Sequence, residues 1–228
     1  MKRSTVNAII AEADDFIRSY GQILPPFAYW SPDEMRARRS GIDGIVRARL
    51  GWDITDYGKG AFDAMGLFLF TARNGDATDL ARGGGMVYAE KIMISRRDQL
   101  SPMHRHVVKA EDIINRGGGT LALELFMSEP DGSIDRHAPV TVPTDGIMRT
   151  LDAGGVLRLA PGESVTLMPG VWHAFWAEDK DVLIGEVSTV NDDLTDNVFA
   201  EPLSRFAGIE EDVAPSHLLV SDYDAWLG

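Results

Sequence analysis

The feature that most constrains the fold is a series of short apolar or alternating segments that begins near Gly66 and is interrupted by turn signals. The turns include Asn74-Gly75, Asp131-Gly132, Gly154-Gly155 and Pro161-Gly162, and such dipeptides favour hairpins or tight turns. The segments predicted as strands are 67–72, 87–95, 120–128, 140–142, 156–160, 164–168, 173–177 and 182–190. Many short strands separated by Gly and Pro predict an all-β core, in the form of a jelly-roll barrel.

Two helices are predicted before the strands. Residues 4–20 place apolar side chains at helical spacing, and Gly21 follows where a helix ends. Ser31-Pro32-Asp33-Glu34 combines an N-cap, a proline in the first turn and a capping-box Glu, so a second helix should end near Gly41. Segment 44–60 has no assignable pattern. We expect one domain over 1–228, with a helical extension at 1–60 packed outside a β-barrel core at 61–200, and a C-terminal extension at 201–228.

Composition limits the class of partner and ligand. No apolar run approaches the roughly 20 residues that span a bilayer, and the start does not resemble a signal peptide, so we expect a cytoplasmic protein. The chain has no Cys, which excludes disulfides and thiolate metal ligands. Its net charge of -13 argues against nucleic acid and anionic membranes, since both require a basic surface. A neutral small molecule suits this charge better.

Four side chains form a candidate metal site. His104 and His106 are one residue apart, so on an extended strand they point the same way. Glu111 lies an odd number of positions beyond His106 and can join the pair only if the backbone bends or bulges between them. His173 follows the turn signal Pro169-Gly170. Three imidazoles and a carboxylate suit Mn²⁺, Fe²⁺, Co²⁺ or Ni²⁺, and Zn²⁺ less decisively. The alternative is surface histidines on a solvated strand.

Several charged residues interrupt apolar strands or lie beside the candidate ligands. Lys91, Glu124 and Glu186 each stand within an apolar segment, and Lys109 precedes Glu111 by two residues. On a one-sided sheet such residues face solvent, whereas inside a barrel they must be paired or functional. Both interpretations stay open. Asp192-Asp193 is either an acidic loop at the barrel rim or a solvated turn.

Aromatic residues flank the fourth candidate ligand. Trp172, Phe175 and Trp176 lie next to His173, and aromatic faces at a pocket mouth pack on the C–H faces of sugars; strand core is the other use of such side chains. His137 and His217 have no ligand context and are expected to be structural.

The ligand spacing resembles the cupin superfamily. His104, His106, Glu111 and Gly118 match its first motif, with Asp98 in place of the leading Gly. Gly170 and His173 match the second motif, although Pro169 abuts Gly170 and Ala177 replaces an Asn.

Within the cupins the chain resembles the D-lyxose isomerases. The resemblance rests on Lys91 to Gln99, on E-D-I-I-N-R-G-G-G at 111–119, on V-N-D-D-x-T-D-N at 190–197, and on Glu201-Pro202 and Arg205-Phe206. It implies a homodimeric, Mn²⁺-preferring enzyme that interconverts D-lyxose with D-xylulose, and often also D-mannose with D-fructose. The implied metal ligands are His104, His106, Glu111 and His173.

The remaining site residues are predicted from matches to pocket motifs and from the aromatic cluster. We expect Lys109, Glu186 and Lys91 to be catalytic, and Trp172, Asp193, Arg205 and Gln99 to bind the substrate. In this scheme Glu186 moves a proton from C2 to C1 through a cis-enediol, and the metal stabilises the charge on the enediolate oxygen. A metal-assisted hydride shift is the competing route.

Three other functions are open at this stage. A cupin with four ligands and two free adjacent positions could bind Fe²⁺ and O₂ as a dioxygenase. A non-catalytic sugar-binding domain is a second possibility. A cupin-type phosphosugar isomerase would need a phosphate-binding cluster, and no segment provides an evident one.

Overall fold

The computed structural model describes residues 1–228 and consists mainly of antiparallel strands. The strands are β1 (Gly51–Thr55), β2 (Leu67–Asn74), β3 (Tyr88–Ser95), β4 (Ser101–His106), β5 (Glu111–Ser128), β6 (Ile134–Asp135), β7 (Val140–Thr144), β8 (Ile147–Leu151), β9 (Gly155–Leu159), β10 (Ser164–Leu167), β11 (Trp172–Thr189) and β12 (Asn197–Phe199). The α-helices are α1 (Arg3–Ser19), α2 (Pro32–Ala37), α3 (Asp43–Arg47), α4 (Ala77–Arg82) and α5 (Tyr223–Leu227). None of them has the length and apolar character that a membrane span requires.

Two long strands organise the main sheet. β5 and β11, of 18 residues each, pair with one another along most of their length. On one side β11 continues to β3, β2 and β1 and also pairs with β4, which pairs with β12. On the other side β5 pairs with β9, β10 and β6, while β7 and β8 form a separate hairpin. β5 and β11 therefore connect the two sides of this sheet, including the strands that carry the candidate site.

The sheet curls strongly. Leu69 on β2, Leu123 on β5, Leu159 on β9, Val165 on β10 and Ile184 on β11 all belong to one buried cluster. A flat sheet would hold β2 and β9 apart on opposite sides, so their contact with one core requires the sheet to fold over as a half-barrel. The inside of this curve holds both the apolar core and the candidate site.

The outer face of the sheet is covered by α1. Phe68 and Phe70 of β2 pack with Ile9 and Ile17 of α1 in a second buried cluster, while Leu69 faces the inner core. Successive side chains of a strand point to opposite faces, and here both faces are buried. This explains why residues 67–70 of β2 form an unbroken apolar run and confirms that the first helix packs outside the core.

The structure differs from the predicted organisation in several details. Segment 44–60 contains most of α3 and all of β1, so the predicted helical extension at 1–60 also contributes a strand to the sheet. The predicted strands 173–177 and 182–190 are one strand, whose pairing shifts register between Glu178 and Val182. Strand β8 was not predicted; its side chains are half-buried or exposed, so its sequence lacks a core-facing apolar pattern.

Candidate metal centre and active site

The three candidate histidine ligands meet on neighbouring strands. His104 and His106 lie on β4, and His173 at the start of β11 pairs directly with His104. One ring nitrogen from each residue lies within 4.8 Å of the corresponding atoms of the other two. Strand pairing thus brings together side chains that are 69 residues apart (173 − 104) in the chain, and this cluster could hold a metal ion.

Glu111 reaches the histidines because the backbone bends between His106 and Glu111, as their odd spacing required. Strand β4 ends at His106, residues 107–110 form a turn, and Glu111 is the first residue of β5. Its Oε1 lies 3.2 Å from His173 Nε2 and 3.4 Å from His106 Nε2. Because residues 107–110 separate two different strands, the side-chain alternation of a single strand does not apply across them. The turn therefore aims the carboxylate at the imidazoles.

Backbone carbonyls orient two of the rings. Nδ1 of His104 lies 2.8 Å from the carbonyl of Pro102, and Nδ1 of His173 lies 3.1 Å from the carbonyl of Val171. A carbonyl only accepts, so each Nδ1 donates the hydrogen. In the neutral ring this leaves an Nε2 lone pair, which is the donor that a metal ion requires.

The arrangement of these atoms fits a cation at their centre. His173 Nε2 is buried and has no hydrogen-bond partner, although a Glu111 oxygen lies 3.2 Å away. With the hydrogen of the neutral ring on Nδ1, a lone pair and an anionic oxygen face each other and repel. A divalent cation between them would convert this repulsion into coordination, and nitrogen and oxygen donors without sulfur suit a first-row divalent ion.

Burial and nearby charge also favour the protonation states that these side chains need in order to bind a metal ion. Burial lowers the pKa of His104 well below its ordinary value and lowers that of His106. Burial alone would raise the pKa of Glu111, but the ammonium of Lys109, 2.6 Å away, holds it well below its usual range. Neutral imidazoles and an ionised carboxylate are the forms that bind metal.

Six further charged side chains, which we call the ion chain, continue from Glu111 with alternating sign. In order they are Lys109, Glu186, Lys91, Asp193, Arg205 and Asp53. The nitrogen–oxygen distance from Glu111 to Lys109 is 2.6 Å. Between successive members of the ion chain, in the order just given, the nearest nitrogen–oxygen distances are 3.0, 3.4, 3.8, 3.3 and 2.7 Å. No member of this series is an isolated buried charge, which is the condition for burying charges at all.

The ion chain keeps its central acids ionised. Burial would raise the pKa of Glu186, but the charges of Lys109 and Lys91 outweigh it and lower the pKa. Likewise, Arg205 and Lys91 overcome burial and hold the pKa of Asp193 far below its ordinary value. For Lys109, burial acts to lower the pKa, and the neighbouring Glu111 and Glu186 raise it instead. Glu186 is thus an ionised carboxylate between two cationic amines.

The ion chain lies along a cavity that opens beside the histidines. The cavity has about 450 Å³ of space not filled by protein atoms, including its opening to solvent. Its lining contains all four candidate ligands and every member of the ion chain except Asp53; the apolar part of the lining is Tyr57, Leu67, Leu69, Met93, Ile113, Phe175 and Phe199. Polar groups that converge at a candidate metal centre beside apolar side chains suit a small polar molecule.

Two residues predicted to bind substrate lie elsewhere. Trp172 precedes His173 on β11, so its side chain faces away from the cavity, where Arg105 lies over its ring; Phe175 lines the cavity instead. The Gln99 amide is used internally, since Oε1 accepts from the backbone N–H of Arg96 and Nε2 donates to the carbonyl of Phe62. Neither side chain lines this cavity, and their contact with substrate stays a prediction.

Of the other residues singled out in the sequence, some line the cavity and others do not. Asp193 and Arg205 line the cavity, and so do Lys91, Lys109 and Glu186, which answers the open question about their orientation. Glu124 lies outside the cavity lining. His137 is exposed. The Nδ1 of His217 lies 3.1 Å from the carbonyl of Trp30, which is consistent with a structural role.

Sequence reasoning missed several polar residues around the cavity. Tyr57, Ser101 and Asn197 line it. The hydroxyl oxygens of Tyr57 and Ser101 are 3.1 Å apart, which is hydrogen-bonding distance. Asp53 supports Arg205 from β1, a strand that had no assignable pattern. For Asn197 a signal was present, because it belongs to the motif at 190–197, but the motif alone does not say which of its polar residues face the cavity.

Comparisons of the whole chain with known proteins agree with one another. The family profile described as D-lyxose isomerase matches residues 1–223. A D-lyxose/D-mannose isomerase from Serratia proteamaculans is 47% identical over 226 residues, which cover 98% of both chains. A D-lyxose/D-mannose isomerase from Escherichia coli O157:H7 is 44% identical over 226 residues, again with 98% of both chains covered. These matches confirm the resemblance drawn from the sequence motifs.

Solved structures share the fold at much lower identity. The structure of Cellulomonas parahominis L-ribose isomerase with L-ribose has a TM-score of 0.62 to this chain and 14% sequence identity, over 92% of this chain and 98% of that one. At this identity the likeness concerns the fold alone. The profile match and the two relatives establish more: the chain belongs to the D-lyxose isomerase family of sugar isomerases.

Proposed function

We propose that the chain interconverts D-lyxose with D-xylulose, and D-mannose with D-fructose, with a divalent cation held by His104, His106, Glu111 and His173. The observation that carries the proposal is that one cavity contains both a cluster of nitrogen and oxygen donors suited to a cation and an ionised carboxylate. The carboxylate is that of Glu186, which lies between Lys109 and Lys91. Mn²⁺ is our first choice of metal, in line with the donor set. The names of both relatives include D-lyxose and D-mannose.

The cation would act as a Lewis acid that stabilises negative charge developing on a sugar oxygen. The chain's own residues must move the protons. Conversion of an aldose to a ketose removes the proton from C2, adds one to C1, and transfers the O2 hydroxyl proton to O1. Each of these transfers needs a group within hydrogen-bonding reach of the carbon or oxygen concerned.

Glu186 is the proposed base. Its carboxylate is ionised at neutral pH because Lys109 and Lys91 lower its pKa, so it can accept the C2 proton, exchange it with solvent and then donate a proton to C1. The two ammonium groups are placed to donate hydrogen bonds to an oxygen that becomes negative during the transfer. Lys109 also contacts Glu111, and it therefore links the base to the proposed metal ligands.

The remainder of the ion chain is proposed to bind the sugar away from the reacting carbons. Asp193 can accept hydrogen bonds from hydroxyl groups, and Arg205 is held between Asp193 and Asp53, which fixes its guanidinium. We also propose that the half-barrel is a cupin-type jelly roll forming one domain. The homodimer and the cytoplasmic location inferred from the sequence stay predictions. Membership of an isomerase family leaves the dioxygenase and the non-catalytic binding module without support.

The test uses protein stripped with a chelator and then supplied separately with Mn²⁺, Co²⁺, Fe²⁺, Ni²⁺ or Zn²⁺. Aldoses are assayed in D₂O, with D-lyxose and D-mannose as the expected substrates and D-xylose as the comparison. We expect turnover only after a cation is restored, with solvent deuterium at C1 of the ketose. Full activity of the stripped protein would contradict the metal site, and a ketose free of deuterium would indicate a hydride shift instead.

The same assay tests the base with two matched variants. Glu186→Gln keeps the shape of the side chain but cannot accept the proton, so kcat should fall by about 10² to 10⁴, the usual contribution of a general base. Glu124→Gln makes the same change on β5 outside the cavity and should keep wild-type kcat. A Glu186→Gln enzyme with wild-type kcat would remove Glu186 from the mechanism.

A further inference from the structure

We propose that Asp196 is a positioning residue for the proposed metal centre, which it serves by holding the turn between His106 and Glu111 and by orienting the His106 ring. The inference rests on the proposed function only in assuming that these ligands bind a cation. Asp196 lies between β11 and β12, and 7% of its surface is exposed. It does not line the cavity.

The Asp196 carboxylate accepts hydrogen bonds from three successive backbone amides. Oδ1 accepts from the N–H of Val107 at 3.0 Å and of Val108 at 2.7 Å, and Oδ2 accepts from the N–H of Lys109 at 3.0 Å. Its backbone carbonyl also accepts from Val107 at 3.3 Å. These amides belong to the turn that separates His106 from Glu111. One side chain from a distant loop therefore supplies the acceptors for most of this turn.

The turn has little apolar anchoring of its own. Val107 and Val108 are 52% and 61% exposed, so burial of their side chains cannot fix the backbone. Hydrogen bonds to a charged acceptor are stronger than those between neutral groups. The Asp196 carboxylate therefore contributes to the position of Lys109 and Glu111 relative to the histidines, together with the strand pairing of Glu111.

The Nδ1 of His106 needs a hydrogen-bond acceptor that would fix the orientation of the ring. The Asp196 carboxylate is the acid placed to supply it. The Nδ1 atoms of His104 and His173 already lie at hydrogen-bonding distance from backbone carbonyls. By contrast, His106 Nδ1 is buried without a hydrogen-bond partner and lies 3.7 Å from Asp196 Oδ2. A ligating imidazole donates its other N–H to an acceptor, which fixes the ring and strengthens its lone pair. A small rotation of the ring would make that bond to Asp196.

The discriminating variant is Asp196→Asn. With its oxygen kept toward Val107 and Val108, the Asn places an NH₂ group where Oδ2 faced Lys109 and His106. Asp192→Asn is the matched control, because the Asp192 carboxylate accepts from Leu194 and Thr195 within the same loop and not from residues 107–109.

The readout is Mn²⁺ affinity, measured by calorimetric titration of chelator-stripped protein. Loss of a group that orients a ligand weakens metal binding by about 10- to 100-fold, and we expect this loss for Asp196→Asn, with wild-type affinity for Asp192→Asn. Equal affinities in all three proteins would overturn the proposal. An equal loss in both variants would also overturn it, because loop integrity would then be the cause.

A measurement on the wild-type protein covers the case in which Asp196→Asn does not fold. Hydrogen exchange of the amides of residues 107–109 should be slow in the stripped protein and slower still with Mn²⁺, because positioning and binding are thermodynamically linked. Fast exchange before metal addition, or no change after it, would overturn the proposal. None of these readouts needs sugar turnover, so a protein that binds Mn²⁺ in this way but isomerises no sugar would refute only the proposed function.

Discussion

The charged side chains of the cavity are stabilised by neighbours of opposite sign, and Asp193 shows this most clearly. Its carboxylate lies 3.3 Å from Arg205 and 3.8 Å from Lys91, and the Asp193 side chain is 12% exposed. Burial would favour the protonated acid, but these cations reverse the effect and hold its pKa far below the ordinary value. Ionisation of Asp193 is therefore linked to folding, and the stability of the protein must depend on pH through this residue.

We predict that Asp193→Asn lowers the free energy of unfolding at neutral pH and has a smaller effect in acid. A depressed pKa in the folded state means that the stabilisation is complete above the unfolded pKa of about 3.9 and is lost progressively as the pH falls from there toward the folded pKa. Hydrogen bonds to charged groups contribute about 1.5 to 3 kcal/mol, which sets the expected loss at pH 7. Urea denaturation of metal-stripped wild type and variant at a series of pH values measures the difference.

The control for this prediction is Asp33→Asn, which removes an exposed ion pair with Arg36. Exposed pairs contribute about 0 to 1 kcal/mol, so this variant should stay close to wild type at every pH. A loss for Asp193→Asn that is as large at pH 3 as at pH 7 would contradict the linkage.

Strands β5 and β11 carry three of the site residues, Glu111, His173 and Glu186, and their pairing depends on a glycine run. The pairing shifts register between Glu178 and Val182, and the bulge this creates presses against Gly118 and Gly119. A Cβ on Gly118 would lie 2.0 Å from the carbonyl oxygen of Asp181. The run thus serves the close approach of two backbones.

We predict that Gly118→Ala destabilises the protein more than Gly162→Ala. Both glycines have positive φ, +107° and +98°, so each Ala incurs the backbone strain of about 1 to 3 kcal/mol. Only Gly118 also has neighbouring backbone atoms in the way, since no atom lies within 4 Å of a Cβ on Gly162. Overpacking adds about 1 to 3 kcal/mol. Equal losses in urea denaturation of the two variants would argue against a steric role for Gly118.

Arg3 makes a buried contact between the two ends of the chain. Arg3, at the start of α1, is fully buried and forms paired hydrogen bonds with Glu211 and with Asp222. Through α1, which covers the outer face of the sheet, this contact joins the N-terminal and C-terminal segments to the half-barrel. The segments outside the predicted core therefore belong to the folded unit around the site.

We predict that Arg3→Met lowers the free energy of unfolding by about 3 to 5 kcal/mol, because it leaves a buried carboxylate without its cation. Arg158→Met is the matched control, since Arg158 makes the same paired contact with Glu178 while 56% of its side chain is exposed. That loss should be much smaller, because solvent screens an exposed ion pair. Similar losses in the two variants, measured by urea denaturation, would refute the structural importance assigned to Arg3.

The sequence by itself determined the β-rich class, the first helix, the family, and the identity of the candidate donors. These follow from local information: hydrophobic period, turn residues and motif spacing do not depend on distant contacts. Even the orientation of His104 and His106 toward one side follows from strand geometry alone.

Only the tertiary structure decided how the site is assembled. Glu111 reaches the histidines across a turn, Trp172 faces away from the cavity while Phe175 lines it, and Glu186 lies between Lys109 and Lys91. Each of these outcomes depends on which strands pair and in which register, and a shift of one residue would turn every side chain of a strand to the other face. That register is selected by the burial of the whole half-barrel, and no segment of the chain contains it.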